Sequence, residues 1–372
     1  MEEKELNTPE TEVIKEKERE VIDRAETEIS GEMGVDVPLS PEDTEVPLDK
    51  NVRLMSPTRM LLRRFFRSKL SVIGIVILAA LYVFSWFGPV VYRQWGEVDV
   101  DYNGALEYTV NEVKDEDGNI IKQVVATGKG INVLADPSFE HPLGTDEKGM
   151  DVFARIMYGG RLSLTLSIFA VFLISFIGVV LGGIAGYYGG VVDNIIMRIC
   201  DVLMCLPTLP LMLIIGVILE ENHVPQESYI YLLMGVLSIF SWPGMARLVR
   251  GQILFLREQE YMVAAEAMGF STKRKIFKHL IPNILPQILV SMTLSLGSMI
   301  LYESTLSYLN LGVKTPYSSW GTMIEIISRD KVVFEQHFNV WVPSGICIVL
   351  AVLGFNFIGD GLRDALDPKQ RR

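Results

Sequence analysis

The chain has 372 residues, is 49% hydrophobic and has a mean hydropathy of +0.30, which excludes an ordinary soluble domain and points to long apolar segments. Formal net charge is −11, but residues 1–50 hold 17 Asp/Glu against 6 Lys/Arg, so the acidity belongs to that stretch and the rest is neutral. Four scattered histidines and three cysteines, Cys200, Cys205 and Cys347, in or beside apolar runs offer no metal-ligand spacing and read as packing residues.

Residues 1–50 read as an acidic, disordered cytoplasmic tail, rich in Glu and broken by four prolines. They begin MEEKELNTPE, which is unlike a cleavable signal peptide. Within 51–70, "SPTRMLLRRFFRSK" alternates basic residues with Met, Leu and Phe after a Ser-Pro start and predicts an amphipathic helix in the membrane interface. Six uncharged runs then follow, each long enough for the ~30 Å hydrocarbon core. They cover 71–92, 162–192, 202–219, 228–246, 281–302 and 341–359. Strand-length alternating segments are missing, so the predicted class is all-α: a polytopic membrane protein with six transmembrane helices.

Lys/Arg density orients it. The segments placed inside carry 19 in 75 residues and those placed outside 10 in 113, which puts both termini in the cytoplasm. Loop 93–161 is then extracytoplasmic, with a small hairpin predicted around its Asp117-Gly118. The transmembrane core covers 162–359 with a cytoplasmic loop at 247–282, the outer loop 303–338 holds a turn and a short interfacial helix, and 360–372 is a cytoplasmic end.

Several chemistries lack their residues. Gly144 to Gly149 approach a phosphate loop but are not followed by Lys-Ser/Thr, and neither HExxH nor GxSxG occurs. The chain therefore reads as no enzyme: catalytic, cofactor and metal residues are none. Asp201, Glu220, Glu303 and Asp360 sit at predicted span ends, where an interfacial role is expected rather than proton coupling. Gly178, Gly182 and Gly186, with Gly190 continuing the series, lie on one helical face and predict close helix packing. Pro207 and Pro210 predict a kink in the third span, of the kind tolerated where a helix lines a watery path.

Between the fourth and fifth spans stands "EYMVAAEAMGFSTKRKIFKHLIPNILP". Its first part is an Ala-rich helix former ended by Gly269, after which Ser271 caps a basic second helix running to Pro282. This stretch resembles the "EAA" coupling loop of bacterial ABC importer permeases: EAA, three residues, Gly, nine residues, I-x-L-P. Ala264, Ala265, Gly269 and Pro282 match, with Val263 in place of Glu and His279 in place of Ile. Glu260, Tyr261, Ala267, Ser271 and Asn283 match the branch importing peptides and nickel. "HPLGTDEKGMDVFARIMYGGRLSL" and "GYYGGVVDNIIMRICDVLMCLPTLPL" resemble two further blocks of that branch, with Met150 where its Arg stands.

The resemblance covers about residues 56–367 and is to the C-type permease of oligopeptide transporters. It implies a multi-pass permease of the bacterial cytoplasmic membrane, paired with a homologous permease. Two cytoplasmic ABC ATPase subunits would bind the ATP and Mg, this chain holding no cofactor. An extracytoplasmic peptide-binding protein would deliver the cargo; membrane lipid is the remaining partner and nucleic acid is none. Residues Glu260, Tyr261, Ala264, Ala265, Ala267, Gly269, Ser271 and Pro282 would carry ATPase coupling. Nickel chelates or glycosides are alternative cargoes, and a secondary carrier without ATPase is the alternative of another class.

Overall fold

The computed structural model describes residues 57–114 and 120–366. The acidic stretch 1–50 and the turn at Asp117-Gly118 lie outside the described residues. Apart from one hairpin, the described chain is helical. Helix α1, Pro57–Arg67, opens on a proline, whose missing N–H would have had no helical partner. Leu62 and Phe66 are exposed beside Arg63 and Arg67, while Phe65 turns toward Gly361 near the carboxyl end. Ser68 then caps α2, Lys69–Val91, by accepting from the Ser71 N–H at 3.4 Å.

Strands β1, Gly104–Lys114, and β2, Ile120–Gly130, pair antiparallel with Thr109 opposite Val125. The hairpin is longer than the turn signal alone indicates.

Asp151 starts α3, Val152–Tyr188, by accepting from the Ala154 N–H at 2.6 Å. This helix ends at Gly189 and Gly190, whose φ values of 66° and 55° suit residues without a β-carbon. Helices α4, Gly190–Cys205, and α5, Thr208–Glu221, meet at 81°. The break falls at Leu206-Pro207, inside the third span expected at 202–219. A proline excludes the α region for the residue before it, and Leu206 is indeed extended. Pro210 lies in the first turn of α5, where its missing N–H breaks no bond, so the bend sits at Pro207 alone.

Helices α6, Gln226–Ser241, and α7, Pro243–Arg257, join through Trp242 into one run. The short α8, Glu260–Ala267, follows. A continuous helical run then comprises α9, Thr272–Lys275, a π turn at Ile276–Leu280 and α10, Ile281–Tyr308. Two short helices, α11, Trp320–Arg329, and α12, Lys331–Gln336, precede α13, Phe338–Leu366. Among the described residues five runs are long and apolar enough to cross a membrane, and the bent α4–α5 pair would make a sixth.

Two large buried clusters, with a small third at Cys200, Trp242 and Ala246, hold these helices together. One joins α3, α6, α7 and α10 through Leu166, Met234, Val249 and Ile284; the other joins α2, α3, α11 and α13 through Leu78, Leu164, Trp320 and Ala351. Gly178, Gly182 and Gly186 on α3 face Met245, Ala246 and Ile253 of α7. Gly190 faces nothing within 4 Å, because the α3 helix has already ended, so the glycine series stops at Gly186.

Candidate functional site

Helix α8 is held at one end of the bundle by two inward side chains. Met262 and Ala265, three residues apart and hence on one face, are 3% and 2% exposed. Met262 joins the cluster containing Ile253, Leu280 and Ile284. Burying a methionine stabilises by roughly 1.5–3 kcal/mol, enough to hold a helix too short to stand alone. Glu260, Tyr261, Val263, Ala264, Glu266 and Ala267 all face outward, as do Met268 and Gly269. The two alanines of the motif are therefore not equivalent: Ala265 is a packing residue and Ala264 a surface one.

The helix stops as its sequence dictates. Gly269 has φ +72°; its N–H donates to the Glu266 carbonyl at 2.9 Å and that of Phe270 to the Ala265 carbonyl at 3.1 Å. These two bonds form a Schellman motif, which satisfies carbonyls that a helix end leaves free. Ser271 stands at the N-cap of α9 with an extended backbone and makes no side-chain cap bond.

Side chains beyond the motif fasten the loop. Lys275 Nζ lies 3.7 Å from Glu266 and 5.8 Å from the centre of the Tyr187 ring at the end of α3. Arg257 donates to the Tyr187 carbonyl at 3.2 Å, and Arg274 covers the Phe270 ring at 4.0 Å. Asn283 Nδ2 donates to Tyr261 Oη at 3.3 Å and to the His279 carbonyl at 2.8 Å, tying α8 to the first turn of α10.

Pro282 is exposed at the second position of α10. It has no N–H to give the Lys278 carbonyl, and its ring crowds that oxygen. The π turn accommodates this: the Ile281 N–H bonds back to Ile276, five residues away, and the helix carries on through the proline.

Sequence reasoning missed the ion pairs that brace this end. Arg250 grips both Asp193 carboxylate oxygens, the Nη2 bond measuring 2.6 Å, and Arg247 reaches Asp201 at 2.6 Å, so α7 is tied to α4. The alternating acids and bases carried the signal, but pairs 46 and 57 residues apart have no local spacing.

Glu303 corrects an expectation. Placed at a span end by hydropathy, it is 0% exposed, because α10 continues more than a turn beyond it. It accepts from Ser163 at 3.2 Å and Ser307 at 2.9 Å, and Ser163 Oγ in turn accepts from the Trp320 N–H at 3.2 Å. One carboxyl group thereby joins α3, α10 and α11.

At the end of α3 opposite α8, His141 bridges two acids: its Nδ1 lies 2.8 Å from Asp151 and its Nε2 3.3 Å from Asp101. Burial works to raise the Asp101 carboxyl, but bonds from Asn132, the Asn103 N–H and His141 hold it below the usual range. Burial and the nearby Asp151 carboxylate push the Tyr92 phenol well up. Arg155 pairs with Asp146 at 3.4 Å and donates to Met150 Sδ at 2.6 Å, so the Met150 sulfur packs against a cation already paired.

Among the described residues no cluster of His, Cys, Asp and Glu has metal-binding geometry. In this arrangement a small outward helix is fastened to a long one.

Residues 178–372 match the family described as binding-protein-dependent transport system inner membrane component. Residues 56–106 match the N-terminal transmembrane domain of oligopeptide transport permease C. The chain is 36% identical over 312 residues to the oligopeptide transport system permease protein OppC of Bacillus subtilis, covering 83% of this chain and 88% of that one. It is 34% identical over 333 residues to the dipeptide transport system permease protein DppC of Alkalihalophilus pseudofirmus, covering 90% and 97%. A methionine ABC transporter structure aligns at 17% identity over 57% of this chain and 98% of that one, with a TM-score of 0.42. The chain belongs to the family of binding-protein-dependent transport system inner membrane components, as a multi-pass permease.

Proposed function

We propose that this chain is one of two homologous permeases in an ABC importer for oligopeptides or dipeptides, driven by separate ATPase subunits and fed by an extracytoplasmic binding protein. The observation that carries the coupling role is the build of α8, which buries two residues and turns all the others outward. Its end of the bundle is the cytoplasmic one by the Lys/Arg rule. An ATPase closing on α8 pushes a helix that Asn283 and the π turn join to α10, and α10 tilts as a unit. Coupling falls to Glu260, Tyr261, Ala264, Ala267 and Gly269 at the surface, with Ala265, Ser271 and Pro282 as support. The relatives named for oligopeptide and dipeptide transport support the peptide cargo. The broken α4–α5 pair at Pro207 supports a path lined on that side.

The test is uptake of labelled di- and oligopeptides by the whole reconstituted complex. Ala264 is exposed, so Ala264→Arg leaves this chain's folding intact while blocking the ATPase. Uptake should fall to background; unaltered ATP-driven uptake would remove α8 from the coupling path. Transport by this permease without any ATPase would favour the secondary carrier instead.

A further inference from the structure

Midway along α10, a cavity of about 360 Å³ opens between that helix and α3, α5, α6 and α7. Six of its lining side chains carry hydroxyls: Thr208, Ser241, Ser291, Ser295, Ser298 and Tyr302. The rest are aliphatic, Met or Gly, and none is charged. The three serines of α10 recur at helical spacing on one face, while Leu289 is exposed on the opposite side of the same helix. Thr208 is the first helical residue after the Pro207 break. The Tyr302 hydroxyl is buried without a partner among the described residues.

A buried hydroxyl without a partner costs about 1–3 kcal/mol, so this oxygen points to something that visits the cavity. Ser295 already donates its proton to the Ser291 carbonyl at 2.8 Å, which leaves its Oγ lone pairs to accept a bond. Acceptors of this kind suit the N–H groups of a peptide main chain, which every sequence shares. A lining without charge gives no preference for any cargo side chain.

We propose that this cleft is the chain's share of an aqueous passage that recognises the main-chain amides of the cargo and ignores its side chains. The proposal rests on the peptide reading above.

The experiment uses the whole complex in proteoliposomes, with Cys200, Cys205 and Cys347 replaced by serine. A water-soluble maleimide should label Ser295→Cys during turnover and leave Leu289→Cys unlabelled; equal labelling of the two would overturn the passage. Separately, the combined Ser291→Ala, Ser295→Ala and Ser298→Ala variant should cut peptide uptake by about fivefold or more, the worth of one net hydrogen bond. It should keep its ATPase activity, and a peptide methylated on its main-chain nitrogens should show no such difference between variant and parent. Parental uptake by the triple variant would overturn main-chain recognition alone. A complex that is labelled at position 295 yet moves no peptide of any sequence would overturn the peptide reading, and main-chain recognition with it.

Discussion

The substitution Gly182→Ala measures how closely α3 and α7 depend on each other. A β-carbon at Gly182 would overlap the Ala246 carbonyl oxygen and lie 2.8 Å from the Ala246 Cα and 2.9 Å from its carbonyl carbon. Carbon atoms in good contact stand about 3.5–4.0 Å apart, so the two backbones must separate by roughly 0.7–1 Å. All the obstructing atoms are main chain, which no rotamer change relieves. Overpacking of this kind costs about 1–3 kcal/mol, against which alanine returns ~1 kcal/mol of helix propensity. The net expectation is a loss of up to about 2 kcal/mol.

The control is one residue away. A β-carbon on Gly183 meets only Ile253 Cδ1 at 3.8 Å, so Gly183→Ala should be neutral or stabilising. Gly186, 3.0 Å from the Arg250 carbonyl oxygen, should fall between the two. Thermal unfolding of the detergent-purified complex, followed by loss of the monodisperse peak, should rank the variants in that order. The difference should be a few degrees, at about 2–4 °C per kcal/mol. If Gly182→Ala unfolds with Gly183→Ala, the helices are not in the contact described and the argument is refuted.

Three further outcomes follow from other contacts. Glu303→Ala strands Ser163 and Ser307 in a buried site and should destabilise the chain by about 3 kcal/mol or more; Glu303→Gln, which keeps one acceptor while one serine turns to accept, should cost about 1 kcal/mol. Equal melting temperatures for the two would show that the carboxyl group joins nothing. At Gly269 an added β-carbon has nothing within 4 Å, so only its φ of +72° opposes substitution, by roughly 1–2 kcal/mol. Gly269→Asn should therefore couple better than Gly269→Val, with assembly surviving in both; co-purification of the ATPases and peptide uptake decide it. Asp101 has a lowered pKa, so the stability it adds is present above the ordinary carboxylate value, about pH 4, and disappears as pH falls further. Protease protection of the loop before α3 should drop below that pH, and Asp101→Asn should flatten the drop; an unchanged profile would mean that the drop has another source.

Among the described residues, each helical run long and apolar enough to cross a membrane overlaps a run that hydropathy marked, because uncharged residues must be buried in lipid or in protein whatever their neighbours are. The short helix Glu260–Ala267 was legible for a different reason: Ala264, Ala265 and Gly269 specify a helix former and its stop close together in sequence. What escaped was whatever depends on partners far along the chain. Nothing local says that Ala265 faces inward and Ala264 outward; the packing of α8 decides that, with Met262 in the cluster of Leu280 and Ile253. Glu303 was misplaced because a hydropathy run stops at the first charge, whereas a helix continues through a charge that finds Ser163 and Ser307. The third span was drawn across Pro207 because composition on both sides is apolar, although the 81° bend divides it. Its two prolines looked equivalent, and only their positions relative to the new helix start separate them.

The π turn at Ile276–Leu280 holds one more residue than an α-helical turn would need. Deleting any one residue there would force the run from Thr272 to Tyr308 into α-helical register and set the Pro282 ring against the carbonyl four residues before it, at a cost of about 3 kcal/mol. The same deletion would swing everything before it by about 100° around the helix axis and draw it in by ~1.5 Å. Met262 would leave its pocket, and the surface offered to a partner would point elsewhere. Relatives that differ by an insertion or deletion between Gly269 and Pro282 should therefore be unable to exchange ATPase subunits with it.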